Sequence, residues 1–150
     1  MDAIAVKHAE DYIEVPAARI GLIIPSVNRL SEPQFTHFAP HGLGIHVTRA
    51  RIAGKWRKPV AELEPIIAQA AGTLSDASPD LIVYHCTDSS MREGLDGERR
   101  ILDIVRRAAG IEAVSTSALL ATVSMPVASR TMSTRVRSPA RPSRIDESVQ

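Results

Sequence analysis

A single cysteine, Cys86, closes the apolar run Asp80-Leu-Ile-Val-Tyr-His-Cys86 and stands directly before Thr87, Asp88, Ser89 and Ser90. Ligands of open α/β sheets bind just beyond the carboxyl ends of the strands. A thiol at that place, beside hydroxyls and free backbone N–H groups, is a candidate nucleophile with an anion cradle next to it. Its thiolate must be favoured by backbone dipoles or a helix N-terminus, and Asp88 opposes this if it faces the sulfur. The competing reading is an inert core thiol, since free cysteine is among the most buried residues. His85 is adjacent in a strand and so points to the opposite face, which argues against a direct base for Cys86 and for a packed or exposed side chain.

Two further loops carry polar groups. Asn28 follows an apolar run in Pro25-Ser-Val-Asn28. An amide there serves turn chemistry, or binds a carboxylate if its loop and that of Cys86 share a pocket. Ser115, Thr116 and Ser117 follow a third apolar stretch and either cap a helix or offer N–H groups to an anion. The remaining histidines, His8, His37, His41 and His46, lack ligand spacing with a second cysteine, so a structural zinc site is not expected. Gly42-Leu-Gly44 precedes a strand where a dinucleotide fingerprint must follow one, and it carries no weight.

The elements that position these residues read as alternating strands and helices. Arg19-Ile-Gly-Leu-Ile-Ile24, closed by Pro25, has the continuous apolar character of a central parallel strand. Ser31 is placed to cap a short helix starting near Glu32 and Pro33. Residues 44–52 alternate apolar and polar and read as a strand nearer the sheet edge. Gly54 to Lys58 is a basic loop. A helix over 60–74 presents Leu63, Ile66, Ile67, Ala70 and Leu74. The strand 80–86 follows, then a helix over 93–109 with Leu95, Ile101, Leu102, Val105 and Ala109 on its apolar face and Gly110 as its stop. Residues 112–115 form a brief fourth strand, and 117–123 begin another helix. This order predicts an α/β fold in three layers, a parallel sheet of about four strands with flanking helices.

The division expected is an arm over 1–18, an α/β lobe over 19–121, and a tail over 122–150. The tail is rich in Ser, Arg and Pro, with five arginines from Arg130 to Arg144 and no apolar periodicity. It reads as disordered, the alternative being a basic arm for phosphate or acidic partners. The abrupt change after Thr122 suggests an interrupted gene or reading frame. At 150 residues the chain has room for one domain with a core, and only 3% of it is aromatic, so that core is aliphatic. A formal charge of +1 argues against a dedicated nucleic-acid or membrane binder. No apolar run resembles a signal peptide or reaches the ~20 residues of a membrane span. With one cysteine and no intrachain disulfide, the expected location is cytoplasmic.

These positions together resemble the aspartate/glutamate racemase superfamily, within it the maleate cis-trans isomerase and arylmalonate decarboxylase branch. The resemblance rests on Arg19-Ile-Gly-Leu-Ile-Ile-Pro-Ser-Val-Asn28 with Glu32, on Asp80 to Ser90, and on Ser115-Thr-Ser-Ala118 opening a helix; it covers roughly residues 19–121. It implies one lobe of a two-lobe fold enclosing a small dicarboxylate, with a cysteine from each lobe. Cys86 is then the first-lobe cysteine, and Asn28 holds a substrate carboxylate. Thr87 and Ser89 lie in a hydroxyl-rich loop that helps bind carboxylate oxygens. A cysteine at position 86 favours isomerase or racemase, because the decarboxylases resemble a form with glycine there. No metal or organic cofactor is implied.

The chain departs from that pattern in Asp88-Ser89-Ser90, where relatives commonly have Ser-Gly-Ser, and in ending before a second cysteine. A weak or inactive isolated chain is therefore expected, with no membrane or nucleic-acid partner and with exposed helix surface that favours aggregation or a homodimer. The other readings are a non-catalytic remnant or a lobe that binds carboxylates or a protein partner, an arylmalonate decarboxylase-like enzyme, and a different cysteine-dependent enzyme using His37, His41 or His46 as base.

Overall fold

The structure, a computed structural model, describes residues 15–52, 54 and 58–119. The arm expected over 1–18 and the tail over 122–150 fall wholly or mostly outside the described residues, as does most of the basic loop at 54–58. Four strands and four helices follow in the order β1 (Ala18–Pro25), α1 (Ser31–Phe38), β2 (Leu43–Ala50), α2 (Val60–Ser75), β3 (Leu81–Tyr84), α3 (Thr87–Arg92), α4 (Gly94–Ala109) and β4 (Ala113–Ser115). Residues 116–119 are helical. The sheet is parallel throughout, with strand order β2-β1-β3-β4, so the second strand is at an edge as its alternating pattern predicts.

Strand parity divides the core. Ile23, Ile82 and Tyr84 point to the face covered by α2 and α4, where they pack with Leu63, Ile67, Leu74, Ile101 and Val105. Leu22, Ile24 and Val83 point to the other face and meet Phe35 of α1. Helices on both sides of the sheet make the three layers that strand–helix alternation requires. Gly110 ends α4 in the left-handed region at φ 69°, its N–H bonded to the Arg106 carbonyl at 2.8 Å.

Three local expectations need correction. Ser31 is the first residue of α1 and not its cap; the side chain of Asn28 receives the free N–H groups there. The hydroxyl-rich stretch after Cys86 is itself a short helix, α3, in which the Ser90 N–H is already bonded to the Cys86 carbonyl at 3.1 Å. Leu95 is 70% exposed, because it lies in the first turn of α4, beside α3, while the residues that meet the sheet begin further along.

Candidate functional site

β1 and β3 are neighbours in register, Ile23 opposite Tyr84, and the His85 N–H extends that ladder to the Ile23 carbonyl at 2.8 Å. Both strands therefore finish at the same edge, and the loops that follow them meet. Between them lies an open groove of about 390 Å3, lined by Pro25, Val27, Asn28, His85, Cys86, Thr87 and Asp88. It joins Asn28, Cys86 and Thr87 as the sequence suggests and adds His85 and Asp88. A groove of about 510 Å3 lined by Thr87, Asp88, Met91 and Arg92 lies next to it, and two other larger grooves are found among the described residues. That of about 490 Å3 on the outside of α2 and α4 holds arginines already paired with Glu64, Glu93, Asp103 and Glu112. That of about 550 Å3 beside α1 is mostly apolar. Neither contains a nucleophile.

Cys86 follows β3 by two residues and precedes α3 with extended backbone. It shares the parity of Ile82 and Tyr84, so its side chain belongs to the α2/α4 core and is 8% exposed while it also borders the groove. His85 has the opposite parity. Its ring packs edge-on against Phe35 with centroids 5.6 Å apart, and Nδ1 lies 3.2 Å from the Thr116 hydroxyl. Burial lowers its pKa, because the imidazolium loses hydration there.

Asn28 does loop work. Its Oδ1 accepts from the N–H groups of Leu30 and Ser31 at 3.0 and 2.9 Å, and its Nδ2 donates to the Ser31 hydroxyl at 2.8 Å. One amide hydrogen remains for a ligand. Arg49 of β2 fixes the same loop, donating to the carbonyls of Asn28 at 2.6 Å and Ser26 at 3.3 Å and pairing with Glu32. Arg49 carries no motif; only the pairing of β2 beside β1 reveals its place. Asp88 lines the groove with its carboxylate turned to Arg92 at 3.4 Å.

The remaining expected residues lie behind or beside the groove. Ser89 is 1% exposed, its hydroxyl 2.8 Å from that of Tyr84 and donating to the Cys86 carbonyl at 3.2 Å. Ser115 is fully buried; its hydroxyl donates to Glu98 and accepts from the Ala118 N–H, capping the helical turn at 116–119. Thr116 touches the groove only through His85. His46 is on β2, separated from β3 by β1, and His41 lies in the loop entering β2 at the amino edge of the sheet. Neither lines the Cys86 groove, nor does His37. Among the described residues no group of three or more His, Cys, Asp or Glu is placed to hold a metal ion, and no helix is long and apolar enough to cross a membrane.

No protein-family model matches the chain, and no curated protein matches it in sequence. Solved structures do match. A mutant of arylmalonate decarboxylase with cysteine in place of a glycine, in a sulfate-associated form, is 17% identical with a TM-score of 0.60, over 70% of this chain and 45% of that one. The maleate cis-trans isomerase of Nocardia farcinica bound to TRIS is 21% identical with a TM-score of 0.55, over 71% of this chain and 47% of that one. A cysteine-to-serine mutant of that isomerase, with a covalently bound succinylcysteine intermediate, is 20% identical with a TM-score of 0.50 over the same shares. The chain spans less than half the length of these proteins. Over about 70% of its length the chain has the fold of part of arylmalonate decarboxylase and of maleate cis-trans isomerase.

Proposed function

We propose that this chain is a maleate isomerase-like lobe that acts on a small dicarboxylate through Cys86. The observation that carries the reading is that Cys86 lines the carboxyl-edge groove together with Asn28 and Thr87. A neighbour of the same fold holding a succinylcysteine supports it. The Cys86 thiolate adds to one alkene carbon of maleate, forming a C–S bond while the π pair moves to the other carbon and its carboxylate. The former double bond, now single, rotates. The electron pair then returns, the C–S bond breaks, and the trans dicarboxylate leaves with the thiolate restored. No net proton is consumed. The spare Asn28 amide hydrogen and the Thr87 hydroxyl donate to carboxylate oxygens.

The groove is open to water, which weakens the electrostatic stabilisation of the developing charge. Turnover by the 150-residue chain is therefore slow. In a maleate-to-fumarate assay, conversion should be measurable over hours and fall at least about a hundredfold in Cys86→Ser. Maleate should also protect Cys86 from iodoacetamide. Conversion that persists in Cys86→Ser refutes the proposal. Protection without any conversion would instead favour a carboxylate-binding lobe, the second reading that the open groove supports.

A further inference from the structure

The Cys86 groove and the groove of about 510 Å3 beside it share two lining residues, Thr87 and Asp88, and Arg92 lines the second. Asp88 and Arg92 are four residues apart on α3. The arginine side chain leans back toward the helix N-terminus, which brings its Nη2 to 3.4 Å from the Asp88 carboxylate where the two grooves join. The side chains are 34% exposed at Arg92 and 57% at Asp88, so water screens this pair and it contributes little to stability. Of the residues lining the Cys86 groove, Asp88 brings a fixed charge, and that charge is negative; burial favours the neutral form of His85. A dicarboxylate therefore meets a like charge there, and Asn28 has a spare amide hydrogen for only one of its two carboxylates. Arg29 lines neither groove, and Arg49 is committed to Glu32 and to the carbonyls of Ser26 and Asn28.

We infer that Arg92 binds the second carboxylate of the substrate, which takes the place beside the guanidinium that the Asp88 carboxylate now holds. The assignment rests on the reading of the Cys86 groove as a dicarboxylate site. Asn28 holds one carboxylate. Thr87, which lines both grooves, and Arg92 hold the other across their junction. A planar guanidinium can give a carboxylate two parallel N–H bonds, whereas the contact with Asp88 joins one nitrogen to one oxygen. Giving up that contact costs little, because the exposed Asp88 carboxylate turns to water. The exchange replaces one ion pair by another and makes or breaks no covalent bond. Asp88 thereby sets specificity. A ligand with a single carboxylate on Asn28 leaves the Asp88–Arg92 pair in place and gains nothing from the cation, while a dicarboxylate displaces Asp88 and gains it.

The test is protection of Cys86 from iodoacetamide, an uncharged reagent, in the full chain at one pH. The protecting ligands are maleate and isocrotonate, which keeps the cis double bond and one carboxylate. Half-protection of the wild type should need about tenfold less maleate than isocrotonate. Arg92→Met keeps most of the side-chain stem and removes the cation. It should raise the half-protecting concentration of maleate about tenfold and leave that of isocrotonate unchanged. Asp88→Asn removes the competing carboxylate and should lower the maleate concentration about threefold. Equal protection of the wild type by the two ligands overturns the Arg92 site and leaves Cys86 as nucleophile. So does maleate protection that is unmoved in Arg92→Met, or that weakens there in parallel with isocrotonate, as a role confined to holding α3 would make it. A wild type that maleate does not protect and that does not convert maleate overturns both. If Arg92→Met does not fold, as judged by urea unfolding, Asp88→Asn carries the test, and maleate protection that is unmoved or weaker there refutes the site.

Discussion

His85 shows how one side chain links the groove to the stability of the whole. Its ring is held between Phe35 and Thr116, and burial favours the neutral form. In the unfolded chain it takes up a proton near pH ~6.5, and in the folded chain only at lower pH. The folded state binds fewer protons, so stability is complete above ~6.5 and declines as pH falls below it. Urea midpoints measured between pH 8 and pH 5 should fall more steeply for the wild type than for His85→Gln; parallel slopes would show that His85 does not contribute. That His85 faces away from the sulfur follows from strand parity alone and is legible in the sequence. The residues its ring touches are not, since Phe35 and Thr116 lie 50 and 31 residues away. Asn28 was legible only as two alternatives. The same amide atoms that can hold a carboxylate also fold the loop, and only the bonds to Leu30 and Ser31 show how much of the side chain is committed.

At the scale of elements, Gly21 of β1 lies against Leu74 of α2. A Cβ there would stand 2.7 Å from Leu74 Cδ2, 3.0 Å from Leu74 Cγ and 3.1 Å from Pro79 Cγ. Leu74 is buried and cannot turn aside without opening the core. Gly21→Ala should therefore cost about 1–3 kcal/mol, read as a lower urea midpoint with an unchanged slope; an unaltered midpoint would mean that α2 moves away freely. The sequence announces β1 by its apolar run, but the need for glycine within it depends on residues more than fifty positions later. The same limit governs the rest. β1 and β3 are legible as apolar runs, β2 by its alternation, and α2 and α4 because a helical period repeats along sixteen residues. The start of α1 and the whole of α3 are not, because six to eight mostly polar residues carry no period. Leu95 has the helical phase of Leu102, seven residues on, yet phase cannot tell that the first turn of α4 lies beyond the sheet residues that would bury it.

In the molecule as a whole, the two faces of the sheet are unequal. The α2/α4 face buries Ile23, Ile82, Tyr84 and Cys86 with the apolar sides of two sixteen-residue helices. Only the eight-residue α1 among the numbered helices packs on the other face, and Ile20, Ile45, Val47 and Val114 there are partly buried. The side chains of Cys86 and Tyr84 thus belong to the better-packed face, where a fixed sulfur is easiest to maintain. This asymmetry predicts different costs for the same chemical change. Ile101 is fully buried in α4, and Ile101→Ala removes its transfer energy and leaves a cavity, which should cost about 4 kcal/mol. Ile45, on edge strand β2, borders an open apolar groove, so water can reach the space its side chain leaves. Ile45→Ala should then cost about 1–2 kcal/mol, the transfer term without most of the cavity term. Urea unfolding of the two variants under one condition decides the matter. Equal losses, or a larger loss at Ile45, would mean that the α1 face is as tightly packed as the face that carries the thiol.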